Sequence, residues 1–399
     1  MNILLCDFVG HAFPLELSVA LAERGHRVTH THLSGFVVGK GPFDDAERPA
    51  GLEVRPVDLG SAFPKYRPAA RAGHELRFAA RLSRWMARER PDVIIMSTTP
   101  PVAQYALTRS ARLLGVRSVI WLQDILAKAS ESDASQIIGR GAGLATRVIE
   151  SMERTTLRRA DHIVAISESF RPYLRDCRVS DDRITVIENW AAMSGIAPEA
   201  HDNEWARARG LCDSRVLLYA GTLGYKHDWT LLRDVAAELD PDGERLVVVS
   251  EGEFADELRA AVPSDDPRLV VEPFQPFDQL SNVLASSDVC LALLTDEASE
   301  YSVPSKVQSY LAAGRPVVMA GAPDGDAARS IVDSGAGLVV RPSERRSFVT
   351  AALDTLRDPG DRGAAARRFA ESHFSVQDKA DGFERVLGEL TGTGVWTAE

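Results

Sequence analysis

Short apolar runs alternate with amphipathic stretches of helical period along the whole chain. The first run, over residues 3–8, contains Ile3-Leu4-Leu5-Cys6 and leads through a glycine-containing turn into apolar positions at helical spacing from Pro14 to Arg24. Pro14 lies near the start of that predicted helix and Gly25 just past its end, the usual asymmetry of helix termini. The next predicted elements are strands over 27–33 and 51–57, a helix over 74–90, a strand over 92–97, a helix over 102–114 and a strand over 116–122. A helix over 143–159, a strand over 162–166, a short helix after Ser167 and a strand over 184–187 follow. Val93-Ile94-Ile95-Met96 is apolar without alternation, as a parallel strand covered on both faces must be.

Periodicity lapses over 192–210 and resumes with Val216-Leu217-Leu218-Tyr219. Strands over 245–249, 269–271, 289–294, 316–319 and 337–340 then alternate with helices. The pattern predicts an α/β protein of two Rossmann-like, doubly wound domains. The expected divisions are an N-terminal domain over 1–193, a linker over 194–210, a second domain over 211–374, and a final helix and tail over 375–399. Ligands of such sheets bind beyond the carboxyl ends of the strands, so the loops after strands are where chemistry is sought.

Composition narrows this reading. A length of 399 residues suits two cores better than one. The net charge of −11 speaks against general nucleic-acid binding. Cys6, Cys177, Cys212 and Cys290 have no metal-ligand spacing, which predicts reduced thiols, and no carboxylate or histidine cluster has such spacing, so no metal is expected; no cofactor is expected either. The first apolar run is too short for a signal peptide, and no run approaches the roughly 18 apolar residues of a membrane span. A cytoplasmic protein is expected.

Gly221-Thr222-Leu223-Gly224-Tyr225-Lys226 is the strongest local feature. It follows a strand directly and precedes a helix expected near Asp228, so two glycines let backbone amides approach an anion while Lys226 supplies charge. Pro304-Ser305-Lys306 opens a second predicted helix, with Pro304 at its first position and Ser305 and Lys306 at an end that favours anions. Either segment alone could be an ordinary turn or cap; together they point to a diphosphate. In the N-terminal half, Asp124 follows a buried strand at Trp121-Leu122-Gln123 and can act on a substrate or cap a helix. Gly10 lies in the loop after the first strand, which is not a GxGxxG turn and argues against a dinucleotide-dependent dehydrogenase.

Lys65 to Arg90 holds eight Lys and Arg against Glu75 and Glu89, with Phe78, Leu82, Trp85 and Met86 at helical spacing. A helix of this kind over 74–90 packs its apolar face into a core and leaves a basic face to water, or rests that face on anionic lipid.

Four segments, taken in order and spacing, resemble the retaining glycosyltransferases of the GT-B fold, family 4. They are Ala160-Asp161-His162-Ile163-Val164-Ala165-Ile166-Ser167-Glu168, Arg183-Ile184-Thr185-Val186-Ile187-Glu188-Asn189-Trp190-Ala191, Tyr219-Ala220-Gly221-Thr222-Leu223-Gly224, and Pro304-Ser305-Lys306 through Tyr310-Leu311-Ala312-Ala313-Gly314-Arg315-Pro316-Val317. The resemblance covers essentially the whole chain and is nearest to the branch of colanic-acid and O-antigen sugar transferases, fucosamine transferases among them. Ser97-Thr98-Thr99-Pro100-Pro101 also looks like this branch.

The resemblance implies two facing domains, a last helix that crosses back to the first, and transfer of a sugar from a nucleoside-diphosphate donor to a hydroxyl acceptor with retention. UDP-sugar is the favoured donor, and a lipid-linked or polysaccharide precursor or a small glycoside the acceptor. It implies that Lys226, Ser305 and Lys306 bind the donor diphosphate and that Gly10 lines the opposite loop. Gly221, Thr222, Glu251 and Gly252 join the donor-side candidates. Family members carry two glutamates eight residues apart where this chain has Tyr301 and Ser309, with Glu297 and Glu300 nearby as substitutes for the first. Thr222 stands where many members have arginine, and Ile125-Leu126-Ala127-Lys128 replaces a Leu-Trp-Pro-Glu type of sequence after Asp124. A sugar-nucleotide epimerase shares the expected fold and donor site. A non-catalytic nucleotide-sugar-binding subunit is a further alternative, which the non-acidic Tyr301 and Ser309 keep open.

Overall fold

A computed structural model describes residues 1–34, 48–64, 67–125, 142–191, 193–299 and 303–392. The chain divides into two units, the first made of Met1–Asn189 with Ser375–Glu399 and the second of Trp190–Phe374.

In the first unit the strands are β1 (Asn2–Asp7), β2 (Arg27–Thr31), β3 (Leu52–Val54), β4 (Val93–Ser97), β5 (Arg117–Leu122), β6 (His162–Ala165) and β7 (Ile184–Val186). They form one sheet of order β3-β2-β1-β4-β5-β6-β7, and every pairing is parallel. Connections first run outward from β1 to β3 and then return to β4 on the other side of β1. The switch point of the winding is therefore the β1–β4 junction, where Asp7 pairs in register with Ser97. All five residues of β4 are buried, as its unbroken apolar run predicts.

The second unit repeats the scheme with β8 (Arg215–Ala220), β9 (Glu244–Val249), β10 (Leu269–Glu272), β11 (Val289–Leu293), β12 (Val317–Ala320) and β13 (Gly337–Val340), in the order β10-β9-β8-β11-β12-β13. Its pairings are also all parallel. Leu217, Tyr219, Leu246, Val248 and Leu291 on the strands pack with Leu232 and Val235 of the helix Thr230–Glu238 and Phe348 of the helix Arg345–Arg357. The switch point here lies between β8 and β11.

Element boundaries differ from expectation in three informative places. The basic helix spans Pro68–Glu89, beginning six residues before the expected 74, because Pro68 sits in its first turn and alanines and arginine propagate the helix where no apolar residue signals it. The helix expected near Asp228 begins at Thr230, with the Asp228 carboxylate accepting the Thr230 amide at 3.1 Å. The helix expected to open at Pro304 spans Lys306–Ala312; Ser305 occupies the position before it without a side-chain cap bond, and Pro304 lies outside, its carbonyl accepting the Val307 amide at 3.1 Å. That amide is thus already engaged. The last helix spans Val376–Thr391 and packs on Ala12–Glu23, within the first unit. No helix among the described residues is long and apolar enough to cross a membrane.

Candidate functional site

The second unit builds its site on the carboxyl end of β8. Gly221 follows the strand with φ +139°, a conformation open to glycine, and its amide is held by the Val249 carbonyl at 3.0 Å. The loop then turns over the switch point: the Lys226 carbonyl accepts the amide of Thr295, just beyond β11, at 3.0 Å. Two further side chains hold its shape. Ser250, fully buried after β9, accepts the Leu223 amide at 3.1 Å, and His227 Nδ1 accepts the Gly224 amide at 3.0 Å.

Lys306 reaches the same place from the helix Lys306–Ala312. Tyr310, one turn later and on the same face, exchanges hydrogen bonds with the Ala220 backbone, accepting from its amide at 3.0 Å and donating to its carbonyl at 3.2 Å. This latch lays Lys306 across Gly221: a Cβ built on that glycine would stand 3.2 Å from Lys306 Cε and 3.4 Å from Nζ. The Lys306 ammonium rests over the Tyr219 ring, 3.9 Å from its centroid, and donates to the Tyr219 hydroxyl at 2.5 Å.

The electrostatics follow from this crowding. Burial, and then the charge of Lys226, hold Lys306 well below the usual lysine range. Burial, followed by the charges of Lys306 and Lys226, drives His227 down to about 2, so its imidazole is neutral. Since Nδ1 accepts from Gly224, the His227 proton is on Nε2. Two lysines and a glycine-bearing loop at a switch point make a candidate receptor for an anion of more than one charge.

The other donor-side candidates take varied places. Thr222 and Ser305 are exposed, and the Thr222 carbonyl accepts the Tyr219 hydroxyl at 2.9 Å. Gly252 has φ +103° ahead of the helix Glu253–Ala260. Glu251 is exposed and its carboxylate accepts the Phe274 amide at 3.0 Å, joining the loops after β9 and β10. Ser309 is half-buried within its helix, and Glu297 is exposed on Asp296–Ser299. Glu300 and Tyr301 lie outside the described residues.

In the first unit Gly10 is buried, with φ +89°, in the loop after β1. Beside it the fully buried Asp7 accepts the His11 amide at 2.5 Å and the Thr98 hydroxyl, while Thr98 itself holds a left-handed φ of +41°. Burial alone would raise the Asp7 carboxyl, but the bond and charge of His11 and the Thr98 hydroxyl outweigh it and keep Asp7 below the usual carboxylate range. Backbone held in such a region beside a buried charge makes this loop a candidate functional one. Asp124 lies two residues past β5 and is partly exposed. Its neighbour Gln123 accepts from Asn189, after β7, at 2.5 Å. Residues 126–141, including Leu126-Ala127-Lys128, lie outside the described part.

Tyr219, His227, Ser250 and the Asp7–Thr98 pair were not singled out from sequence. Tyr219 reads in sequence as an apolar strand position and His227 as no more than a residue between Lys226 and the next helix; the signal that could have found them is their adjacency to Gly221 and Lys226. Tyr310 had a clearer one, four residues after Lys306.

The fold is that of the GT-B glycosyltransferases. Sucrose-phosphate synthase from Thermosynechococcus elongatus superposes with a TM-score of 0.75 at 16% identity, over 98% of this chain and 99% of that one. Anabaena HepE, solved with UDP-glucose, superposes with a TM-score of 0.69 at 16% identity, over 98% and 100%. A Glycosyl transferase 4-like domain model matches residues 11–190 and a Glycosyl transferases group 1 model matches residues 214–358; the chain belongs to the family-4 glycosyltransferases of this fold. Among curated relatives, WcaI of Escherichia coli (strain K12), named for a glycosyl transferase of colanic acid biosynthesis, is 23% identical over 311 residues, 76% of this chain and 75% of that protein.

Proposed function

We propose that this enzyme moves a hexose-type sugar from a nucleoside-diphosphate donor, UDP-sugar by preference, to a hydroxyl acceptor with retention at the anomeric carbon. The observation that carries the reading is Lys306 laid across Gly221 beside the Lys226 loop, at the β8–β11 switch point. The uridine preference draws support from HepE, which was solved with UDP, with UDP and glucose, and with UDP-glucose. The acceptor as a polysaccharide or lipid-linked precursor draws it from the naming of WcaI.

In this reading the second unit binds the donor and the first presents the acceptor. The bond from the anomeric carbon to the β-phosphate oxygen breaks, the acceptor oxygen bonds that carbon, and a departing phosphate oxygen takes the acceptor proton on the same face. Lys226 and Lys306 stabilise the charge gathering on the leaving diphosphate, the electrostatic contribution that is commonly the largest in catalysis. Asp124 acts on the sugar or acceptor side, and the basic helix Pro68–Glu89 brings the protein to a membrane surface that carries the acceptor.

A thermal-shift screen with UDP, GDP and dTDP tests the donor. A nucleotide at a hundred times its dissociation constant stabilises the native state by about 2.7 kcal/mol. UDP is expected to give the largest shift, and Lys226→Ala and Lys306→Ala each to abolish most of it; undiminished shifts in both variants would refute the diphosphate site. Asp124→Asn is expected to lower turnover at least tenfold while leaving the UDP shift intact, and a fully active variant would make Asp124 a structural residue.

A further inference from the structure

Tyr219 is wholly buried on β8, in a core where phenylalanine would fill the same space. A buried hydroxyl is costly unless bonded, so its partners identify what it is for. It accepts from Lys306 Nζ at 2.5 Å and donates to the Thr222 carbonyl at 2.9 Å, while the ring beneath it lies 3.9 Å from the same ammonium. Burial pushes the phenol up, so the hydroxyl keeps the proton that it gives to Thr222. One side chain thus touches both parts of the proposed donor site, the cation from one helix and the glycine loop after the strand. Gly221 leaves the space that this arrangement needs, since a Cβ there would crowd the Lys306 stem. Tyr310 anchors the helix backbone to Ala220 but does not reach the ammonium, so the end of the lysine depends on Tyr219.

We propose that Tyr219 is a positioning residue for the transfer reaction: it holds the Lys306 ammonium over Gly221 and, through the Thr222 carbonyl, keeps the loop 221–224 in the shape that receives the diphosphate. This rests on the donor-site reading above. Without the hydroxyl, Lys306 keeps its ring contact but loses the acceptor that directs it, and Thr222 loses its tie to the strand.

Calorimetric titration of the full chain with UDP and with inorganic pyrophosphate tests this in Tyr219→Phe, Lys306→Ala and the double variant. Tyr219→Phe is expected to melt close to the parent and to bind the better probe about tenfold more weakly, the size of one hydrogen bond to a charged group. In the Lys306→Ala background the same change is expected to cost clearly less than in the parent, because the part of its effect that runs through Lys306 is already gone and only the Thr222 tie is still lost. Affinity in the parent falls as pH rises through the lowered Lys306 titration. In Tyr219→Phe that fall moves to lower pH, because the lost hydroxyl had favoured the ammonium. A residue that merely fills the core would move neither the coupling nor the pH profile. Parent-like affinity and pH profile in Tyr219→Phe, with Lys306→Ala still impaired, overturns the inference, as does a full additional loss in the double variant. Parent-like binding by Lys306→Ala, or no binding of either probe to the parent, overturns the donor-site reading itself.

Discussion

Two buried histidines contribute to how this protein meets acid. Burial, only partly opposed by Asp7, lowers His30 from its ordinary 6.5 to about 4, and His227 falls to about 2 for the reasons given above. Both side chains take up protons near pH 6.5 when unfolded and refuse them when folded, so their contribution to stability is present above pH 6.5 and is lost as pH falls below it. Between pH 6.5 and pH 5 each should remove about 1.6 kcal/mol from the unfolding free energy. Urea denaturation at stepped pH is expected to show this decline, and His30→Gln to make it shallower; an unchanged slope would place the proton uptake elsewhere. His30 Nδ1 lies 2.9 Å from the Ser18 hydroxyl, a partner that glutamine can also meet. The same scale shows why part of the site was hidden in sequence. Lys226 and Lys306 are charged residues in loops and caps and are conspicuous there, whereas Tyr219 and His227 acquire their roles only when β8 and the Lys306 helix meet.

The helix Pro68–Glu89 is legible at the scale of an element, since Phe78, Leu82 and Met86 are buried while Arg77, Arg81, Arg84 and Arg88 are exposed. Trp85 is only partly covered, 5.9 Å under the Arg55 guanidinium. Glu75, a lone acid on the buried side, is bound by Arg71 at 2.9 Å and by the Val102 amide at 3.1 Å, which ties the helix to Pro101–Leu114. That neighbour adds exposed Arg109, Arg112 and Leu113, the last 84% exposed, and the adjacent helix Ala142–Arg159 adds Val148 at 50%. Exposed arginines together with exposed apolar side chains on these packed helices suit an anionic lipid surface. Changing Arg77, Arg81, Arg84 and Arg88 together to glutamine should weaken co-sedimentation with phosphatidylglycerol vesicles about a hundredfold or more, at about 1 kcal/mol per charge. Equal sedimentation of variant and parent would leave this face simply solvated.

At the scale of the whole molecule, the chain leaves its first unit after Asn189, builds the second, and returns at Ser375 to finish the first. Ser375 caps the returning helix by accepting the Asp378 amide at 3.2 Å. Phe383 then packs edge-on against Trp121 with centroids 4.8 Å apart, and Glu384 receives both Arg24 at 2.6 Å and His26 at 2.7 Å. The first core is therefore incomplete without the returning helix Val376–Thr391. Phe383→Ala is expected to destabilise the first unit by about 3–5 kcal/mol, visible as a lower denaturation midpoint followed by tryptophan fluorescence. An unshifted midpoint would show the returning helix to be dispensable.

Strand and helix alternation and the two-unit plan follow from the sequence alone, because local periodicity and glycine or proline punctuation are properties of neighbouring residues, and Lys226 and Lys306 stand out there as candidates for the same reason. Tertiary structure alone decided which strands adjoin, and so where the winding reverses and which loops share a switch point. It also decided that Tyr219 lies beneath Lys306, that Asp7 meets Thr98, and that Lys306 is robbed of its ordinary basicity. Those are contacts between residues roughly 90 positions apart in the chain, and burial acts on a charge only once distant segments have closed around it.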